Sequence, residues 1–238
     1  MKINIKFFIA IILICLLFSC ITKKNILVFE NIDNGKDISI EFTKGKAFNH
    51  PTFVIWLEDM DGSYLKTLFL TKAYANCLFE HKMLGDTLWL NEKGESCQPA
   101  ALSYWTHKKG MINNKTLVPS KKNKFVDAYT GATPKGSFVF NAKKSEKKQY
   151  RLLVEINQTW DWNKFWTNNK YPENSAYKHS AQPSIIYGVA INNMDSTFYL
   201  NPIGHGDPKG ESGKLFTNIS TLTSAKQIFS SIKVKMKK

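Results

Sequence analysis

Between residues 51 and 70 the chain reads PTFVIWLEDMDGSYLKTLFL. Phe53, Val54, Ile55, Trp56 and Leu57 follow one another without a polar break, the near-continuous apolar run of a strand buried on both faces. Asp59-Met60-Asp61-Gly62 then turns the chain, since Asp-Gly between apolar runs is a strong hairpin signal. The return strand is expected over residues 64–70. The two aspartates also raise the question of calcium, but the later ligands of an EF-hand loop are absent, so the segment reads as a turn.

The same pattern recurs along the chain. Strands are expected at 26–29 and at 38–42, where Ile38, Ile40 and Phe42 recur with period two. A further short strand is expected at 87–90. Residues 138–140 and 150–156 read as a hairpin around a Lys-rich tip at 143–148, and residues 184–192 as a strand pairing with 196–200 across a turn. At 232–236, Ile-Lys-Val-Lys-Met alternates apolar and cationic faces, as in a half-buried outer strand. Short helices are expected near 100–109 and 224–229, the latter because Ser224 and Gln227 resemble a capping box. Residues 110–124 form a polar, basic loop. Many short strands separated by Gly, Pro, Asn and Asp point to an all-β, antiparallel β-sandwich with long loops and one or two short helices.

The first twenty residues, MKINIKFFIAIILICLLFSC, have a cationic start and an apolar run too short to span a bilayer. They have the layout of a secretory signal and are set aside from the fold. Leu17-Phe18-Ser19-Cys20 resembles the bacterial lipobox, although Phe18 is bulkier than usual there. The resemblance implies cleavage before Cys20 and its acylation; an ordinary signal peptide with a chance Cys is the alternative. The expected organisation is a signal peptide at 1–19, a lipidated tether at 20–25 and one sandwich domain at 26–238. The expected address is the periplasm, anchored to a membrane, the outer membrane ahead of the inner.

Cys15 leaves with the signal and Cys20 takes lipid, so Cys77 and Cys97 remain as a pair in an oxidising compartment. A bridge between them closes a loop of about 20 residues and contributes roughly 3 kcal/mol in the chain-entropy model. The formal net charge is +14, with twelve Lys or Arg between residues 108 and 151 against only Asp127 and Glu146. Arg151 is the only Arg, and base readout relies on Arg forks, so nucleic acid is not an expected partner. A Lys-rich surface suits anionic lipid or a phosphate-bearing group; a solvated face is the plainer reading.

Several chemistries lack their signatures. There is no G-x-S-x-G elbow and no His-Glu-x-x-His, and no Cys pair stands at zinc spacing. His205, in Gly-His-Gly-Asp, reads as a hydrogen-bonded loop histidine, and residues 210–214, GESGK, only faintly resemble a phosphate loop. Residues 160–166 hold Trp160, Trp162, Phe165 and Trp166, which suit either loop packing or stacking on a flat ring or a sugar face.

Two resemblances follow from particular stretches. HPTFVIWLEDMDGSYLKTL, DAYTGATPKGSF, YRLLVEINQTWDWN, QPSIIYGVAI and IGHGDPKG occur in this order, and together they resemble a bacterial family of predicted periplasmic proteins of unknown function with an immunoglobulin-like fold. The resemblance covers residue 51 to the C-terminus and implies an immunoglobulin-like sandwich behind a secretory or lipoprotein signal. Within it, DAYTGAT resembles the flavin-attachment signature D-x-x-[ST]-G-A-[ST] of extracytoplasmic proteins, matched by Asp127, Thr130, Gly131, Ala132 and Thr133. That resemblance implies FMN joined through its phosphate to the Thr133 hydroxyl by a flavin transferase. Pro134 disfavours a helical Thr133, and the small Gly131 and Ala132 leave room for a second protein's active site. The surrounding basic span would offset the added phosphodiester charge. The function expected is a lipid-anchored envelope protein that relays electrons in extracytoplasmic redox or metal-assimilation systems, with an envelope redox protein as partner. The alternative is a non-catalytic binding or scaffold module in which DAYTGAT is a turn; glycan binding through exposed Trp is a third reading.

Overall fold

The computed structural model describes residues 27–30, 37–79, 82–84, 88–92, 94–95, 97–112, 115–119, 122–123, 125, 128–192 and 194–237. Cys20 and Asp127 lie outside these residues, as do the signal and tether.

In chain order the strands are β1 (Leu27–Glu30), β2 (Ile38–Lys44), β3 (Thr52–Glu58), β4 (Tyr64–Thr71), β5 (Leu78–Phe79), β6 (Lys82–Leu84), β7 (Leu88–Leu90), β8 (Gly94–Glu95), β9 (Met111–Ile112), β10 (Lys115–Thr116), β11 (Tyr129–Gly131), β12 (Phe138–Ala142), β13 (Tyr150–Asn157), β14 (Ile185–Ile191), β15 (Thr197–Tyr199), β16 (Asn201–His205) and β17 (Phe229–Met236). The helices are α1 (Lys72–Asn76), α2 (Ser103–Lys109) and α3 (Ser175–Ser180), with 3₁₀ turns at Pro99–Leu102 and Ser224–Gln227. A five-stranded sheet ordered β1-β12-β2-β17-β15 stacks on a six-stranded sheet ordered β11-β4-β3-β13-β14-β16. Pairing is mostly antiparallel; β1 with β12 and β11 with β4 are parallel. The molecule is therefore the β-sandwich that the strand pattern predicts.

Alternation builds the core. Ile38, Ile40 and Phe42 of β2 face Phe138 and Phe140 of β12 and the inward residues Phe53, Ile55 and Leu57 of β3, all essentially inaccessible. The Phe42 and Phe138 rings stack at 4.4 Å, and those of Phe53 and Phe69 at 4.9 Å. β3 is buried along its whole length because its other face is covered too: Val54 and Trp56 pack under Ala101, Leu102 and Trp105 of the Pro99–Leu102 turn and α2. That second layer explains why the run at 53–57 is continuous rather than alternating. The Cys77–Cys97 disulfide, with Cα atoms 4.6 Å apart, ties the C-cap of α1 to the segment that enters this layer.

Three expected pairings are corrected. Residues 138–140 and 150–156 are strands but not a hairpin: β12 pairs with β1 and β2, whereas β13 pairs with β3 and β14 in the other sheet. Residues 196–200 do not pair with 184–192. β15 joins β17, and it is β16 that lies against β14. β17 is an interior strand, its Ile232 and Val234 in the core and Lys233 and Lys235 paired with Glu41 on the solvent face. Alternation reports which face a residue takes; it carries no information about the neighbouring strand, and in the first two cases the chain crosses between sheets where a hairpin was expected. Ser224 does not cap its turn either: its hydroxyl donates to Asp161 Oδ1, 2.5 Å away, and accepts from Gln182 Nε2.

Candidate functional site

At one end of the sandwich β1, β3, β12, β14 and β17 begin and β2, β4, β11, β13 and β16 finish. The loops 45–51, 132–137, 158–184 and 206–228 gather there, and we call this end the rim. Thr133 belongs to it.

The motif is a strand followed by a crossover, not a turn. Tyr129, Thr130 and Gly131 pair in parallel with Phe69, Leu70 and Thr71 at the edge of the six-stranded sheet. Gly131 is buried against the Phe69 ring; a Cβ there would lie 3.0 Å from Phe69 Cε2. Glycine thus lets this edge strand close over the core. Ala132 is exposed, Thr133 half-buried and Pro134 buried, so the chain leaves the sheet through an accessible Ala-Thr step and is pinned again by the proline. The Thr133 hydroxyl donates to the Pro51 carbonyl at 3.2 Å, and the Ser137 hydroxyl accepts from Lys44 N at 2.9 Å. These two bonds fix the crossover to the ends of β2 and β3. Thr130 is half-buried in the edge strand.

Hydrogen bonds carry the rim onward to the aromatic loop. Asn49 N donates to Gln158 Oε1 at 2.7 Å, Asn163 Nδ2 to Thr221 O at 2.9 Å, and Thr223 N to Gln182 Oε1 at 2.8 Å. The tryptophans divide between roles. Trp166 is buried, with Nε1 donating to Thr221 Oγ1, and Trp162 packs on Tyr177. Trp160 is 42% exposed at φ +63°, its ring edge-on to Trp162 and His179. Phe165 is 50% exposed, with the Lys170 ammonium 3.4 Å from its centroid.

The charge beside Thr133 is cationic, but only part of the 108–151 basic span lies with it. The tip at 143–148 lies at the opposite end of the sandwich, where Lys147 pairs with Asp59 at 3.1 Å and Lys108 donates to Gly62 O. Arg151 is paired with the buried Glu58. Among the described residues of segments 44–51 and 128–137 the charges are Lys44, Lys46 and Lys135, all exposed; Asp127, just before the second segment, lies outside the described residues.

A second polar node was not foreseen. Glu155 is buried on the outer face of the six-stranded sheet and accepts from Trp105 N at 2.7 Å, Tyr104 N at 3.1 Å and Ser184 Oγ at 2.5 Å. It takes the place of a side-chain N-cap for α2, whose own N-cap residue, Leu102, has none to offer. Burial pushes its carboxyl up to about 7 although all three bonds pull the other way. Gly206 closes the node, since a Cβ there would meet Ser103 Oγ at 2.5 Å and Ser184 Oγ at 2.6 Å. The available signal was a lone acid inside the apolar strand RLLVEIN. Next to it, the Asp207 carboxylate fills the 207–212 loop, accepting from Lys209 N, Ser212 N and Ser212 Oγ, so the phosphate-loop resemblance of GESGK has no structural support. His205 is buried, stacked on Phe216 at 5.2 Å with Nδ1 against Gly206 O, and burial lowers its pKa.

Among the described residues no group of three His, Cys, Asp or Glu is placed to hold a metal ion, and no helix is long and apolar enough to cross a membrane. The rim therefore offers a half-buried Thr133 whose hydroxyl is bonded to Pro51 O, exposed Lys44, Lys46 and Lys135 on the flanking segments, and the exposed rings of Trp160 and Phe165 on the 158–184 loop. No family model matches the chain, and no curated protein or solved structure matches it.

Proposed function

We propose that this protein is a lipid-anchored envelope flavoprotein that carries FMN on Thr133 and relays electrons outside the cytoplasm. The observation that carries the reading is the placement of the D-x-x-T-G-A-T match: Thr133 is half-buried, on a crossover between sheets, after an exposed alanine. A threonine sealed in the core would be closed to a transferase. The residues fit the group. Attachment forms a bond from Thr133 Oγ to the FMN phosphorus, breaks the pyrophosphate of FAD, releases AMP and passes the hydroxyl proton to a base of the transferase. The bond between Thr133 and Pro51 O is a single neutral hydrogen bond, about 1 kcal/mol net, which a transferase can break. Lys44, Lys46 and Lys135 stand on the loops that flank the phosphodiester position. The flavin, when bound, supplies the redox chemistry, and the protein supplies position and electrostatics. The Cys77–Cys97 disulfide accords with an oxidising compartment.

Co-expression with a flavin transferase, followed by a denaturing gel, tests the reading. A fluorescent band is expected for the native chain and for Thr133→Ser, and none for Thr133→Ala; a dark native band rejects it. One observation favours a second reading. Because Thr133 braces the 45–51 loop through Pro51, the motif would also serve a cofactor-free envelope binding module. That module would keep its fold and its partner in the absence of flavin.

A further inference from the structure

We infer that the rim bearing Thr133 lies flat against an anionic phospholipid surface. The inference rests on the lipid anchor at Cys20 and deepens the reading above by stating where the modified threonine works.

The first observation is where the chain enters the fold. β1 runs parallel to β12 with Leu27 opposite Phe138, so the chain joins the sandwich at the rim, beside the crossover that holds Thr133. Seven Cα steps separate Cys20 from Leu27, a reach of at most about 25 Å. An eight-residue strand such as β13 is roughly 26 Å long. Turning the opposite end toward the lipid would lift Leu27 by about that length and draw the tether to its limit. With the rim down the tether stays slack.

The second observation is charge. Segments 44–51 and 128–137, which flank the entry point, present Lys44, Lys46 and Lys135 and no acid. Each lysine near an anionic leaflet is drawn to it, an attraction that falls off within a Debye length. The remaining rim loops carry Asp161, Glu173, Asp207 and Glu211 among Lys164, Lys170, Lys178, Lys209, Lys214 and Lys226, so lysines still outnumber acids there, whereas at the opposite end Asp59, Asp61, Glu146 and Asp195 offset the lysines of 143–148.

The third is the exposed apolar surface of the rim. Leu27 and Val28 are each 52% exposed on the edge strand, and Trp160 and Phe165 project from the 158–184 loop. Aromatic rings beside lysines are what the headgroup region accommodates, with the ring at the boundary and the ammonium among phosphates. The Lys170 ammonium over Phe165 already has that arrangement. A group carried on Thr133 is then held at the bilayer surface, where a membrane-embedded electron donor or acceptor is within reach.

The mature chain, beginning at Cys20, can be coupled through that thiol to a maleimide phospholipid, because Cys77 and Cys97 are joined to each other. Hydrogen exchange is then compared on phosphatidylglycerol-containing and purely phosphatidylcholine vesicles. Exchange in 44–51 and 132–137 slows several-fold on the anionic vesicles, turns 59–63 and 143–149 are unchanged, and raised salt reverses the slowing. A Lys44→Gln, Lys46→Gln, Lys135→Gln chain loses the difference. Equal exchange at the rim on both lipids, or slowing at the opposite end, overturns the inference, as does an unacylated Cys20 in protein recovered from cells. No arm contains flavin, so an absent FMN leaves the result intact and failure here leaves the attachment reading standing.

Discussion

Replacing Glu155 by Gln separates the buried carboxylate's charge from its shape. The Glu155 carboxylate satisfies two backbone N–H groups at the start of α2 and the Ser184 hydroxyl. Gln retains one oxygen. Ser184 can rotate to accept from the new amide, but one helix N–H then loses its acceptor, a loss of about 1–3 kcal/mol. The pH dependence is the sharper signature. Burial raises the native pKa from 4.5 to about 7, so the folded state binds the proton more tightly than the unfolded chain. Stability from this group is fully present below about pH 4.5 and is lost as pH rises through about 7, at up to 1.4 kcal/mol per unit, or about 3 kcal/mol across the window. Urea unfolding followed by tryptophan fluorescence from pH 4.5 to 8 measures it. The native curve is expected to fall relative to that of Glu155→Gln, with other titrating groups cancelling in the difference. Parallel curves would refute the assignment of Glu155 as a desolvated helix cap.

Other substitutions test separate parts of the account. Gly131→Ala forces the Phe69 ring to yield at a 3.0 Å approach and is expected to destabilise by about 1–3 kcal/mol, read by denaturant midpoint. Gly206→Ala meets two hydroxyls at 2.5 and 2.6 Å and should cost at least as much, whereas Gly136→Ala, with open space around it, should be close to neutral. Reduction of Cys77–Cys97 is expected to lower stability by roughly 3 kcal/mol, seen as a shifted urea midpoint in reductant. Glu41→Gln removes the pairs with the half-exposed Lys233 and Lys235, and no more than about 1 kcal/mol should be lost, less at high salt.

Strand positions were legible because period-two burial leaves its mark residue by residue, as at Ile38, Ile40 and Phe42. Pairing was not, because a loop's sequence does not say whether the chain stays in its sheet: the Lys-rich tip at 143–148 looks like a hairpin and is a crossover. The disulfide was legible by elimination, once Cys15 was assigned to the signal and Cys20 to the lipid. The alternative reading of the motif as a turn did not anticipate that three of its residues form β11. Gly131 serves there as clearance for Phe69 rather than as a bend, a tertiary requirement that composition does not reveal. The basic span was legible as a count but not as a patch: Lys135 stays beside Thr133, while β12 carries the chain to the opposite end before the lysines of 143–148. Glu155 stayed hidden because the groups that donate to it come from α2 and from the segment before β14, both distant in the chain.

The most direct measurement concerns Thr133 itself. Tryptic digestion of the protein recovered from cells with an active flavin transferase releases residues 125–135, FVDAYTGATPK. The account predicts that this peptide carries the mass of FMN less water, with fragment ions placing it on Thr133 rather than Thr130. An unmodified peptide, from protein that has been exported and has formed its disulfide, would contradict it.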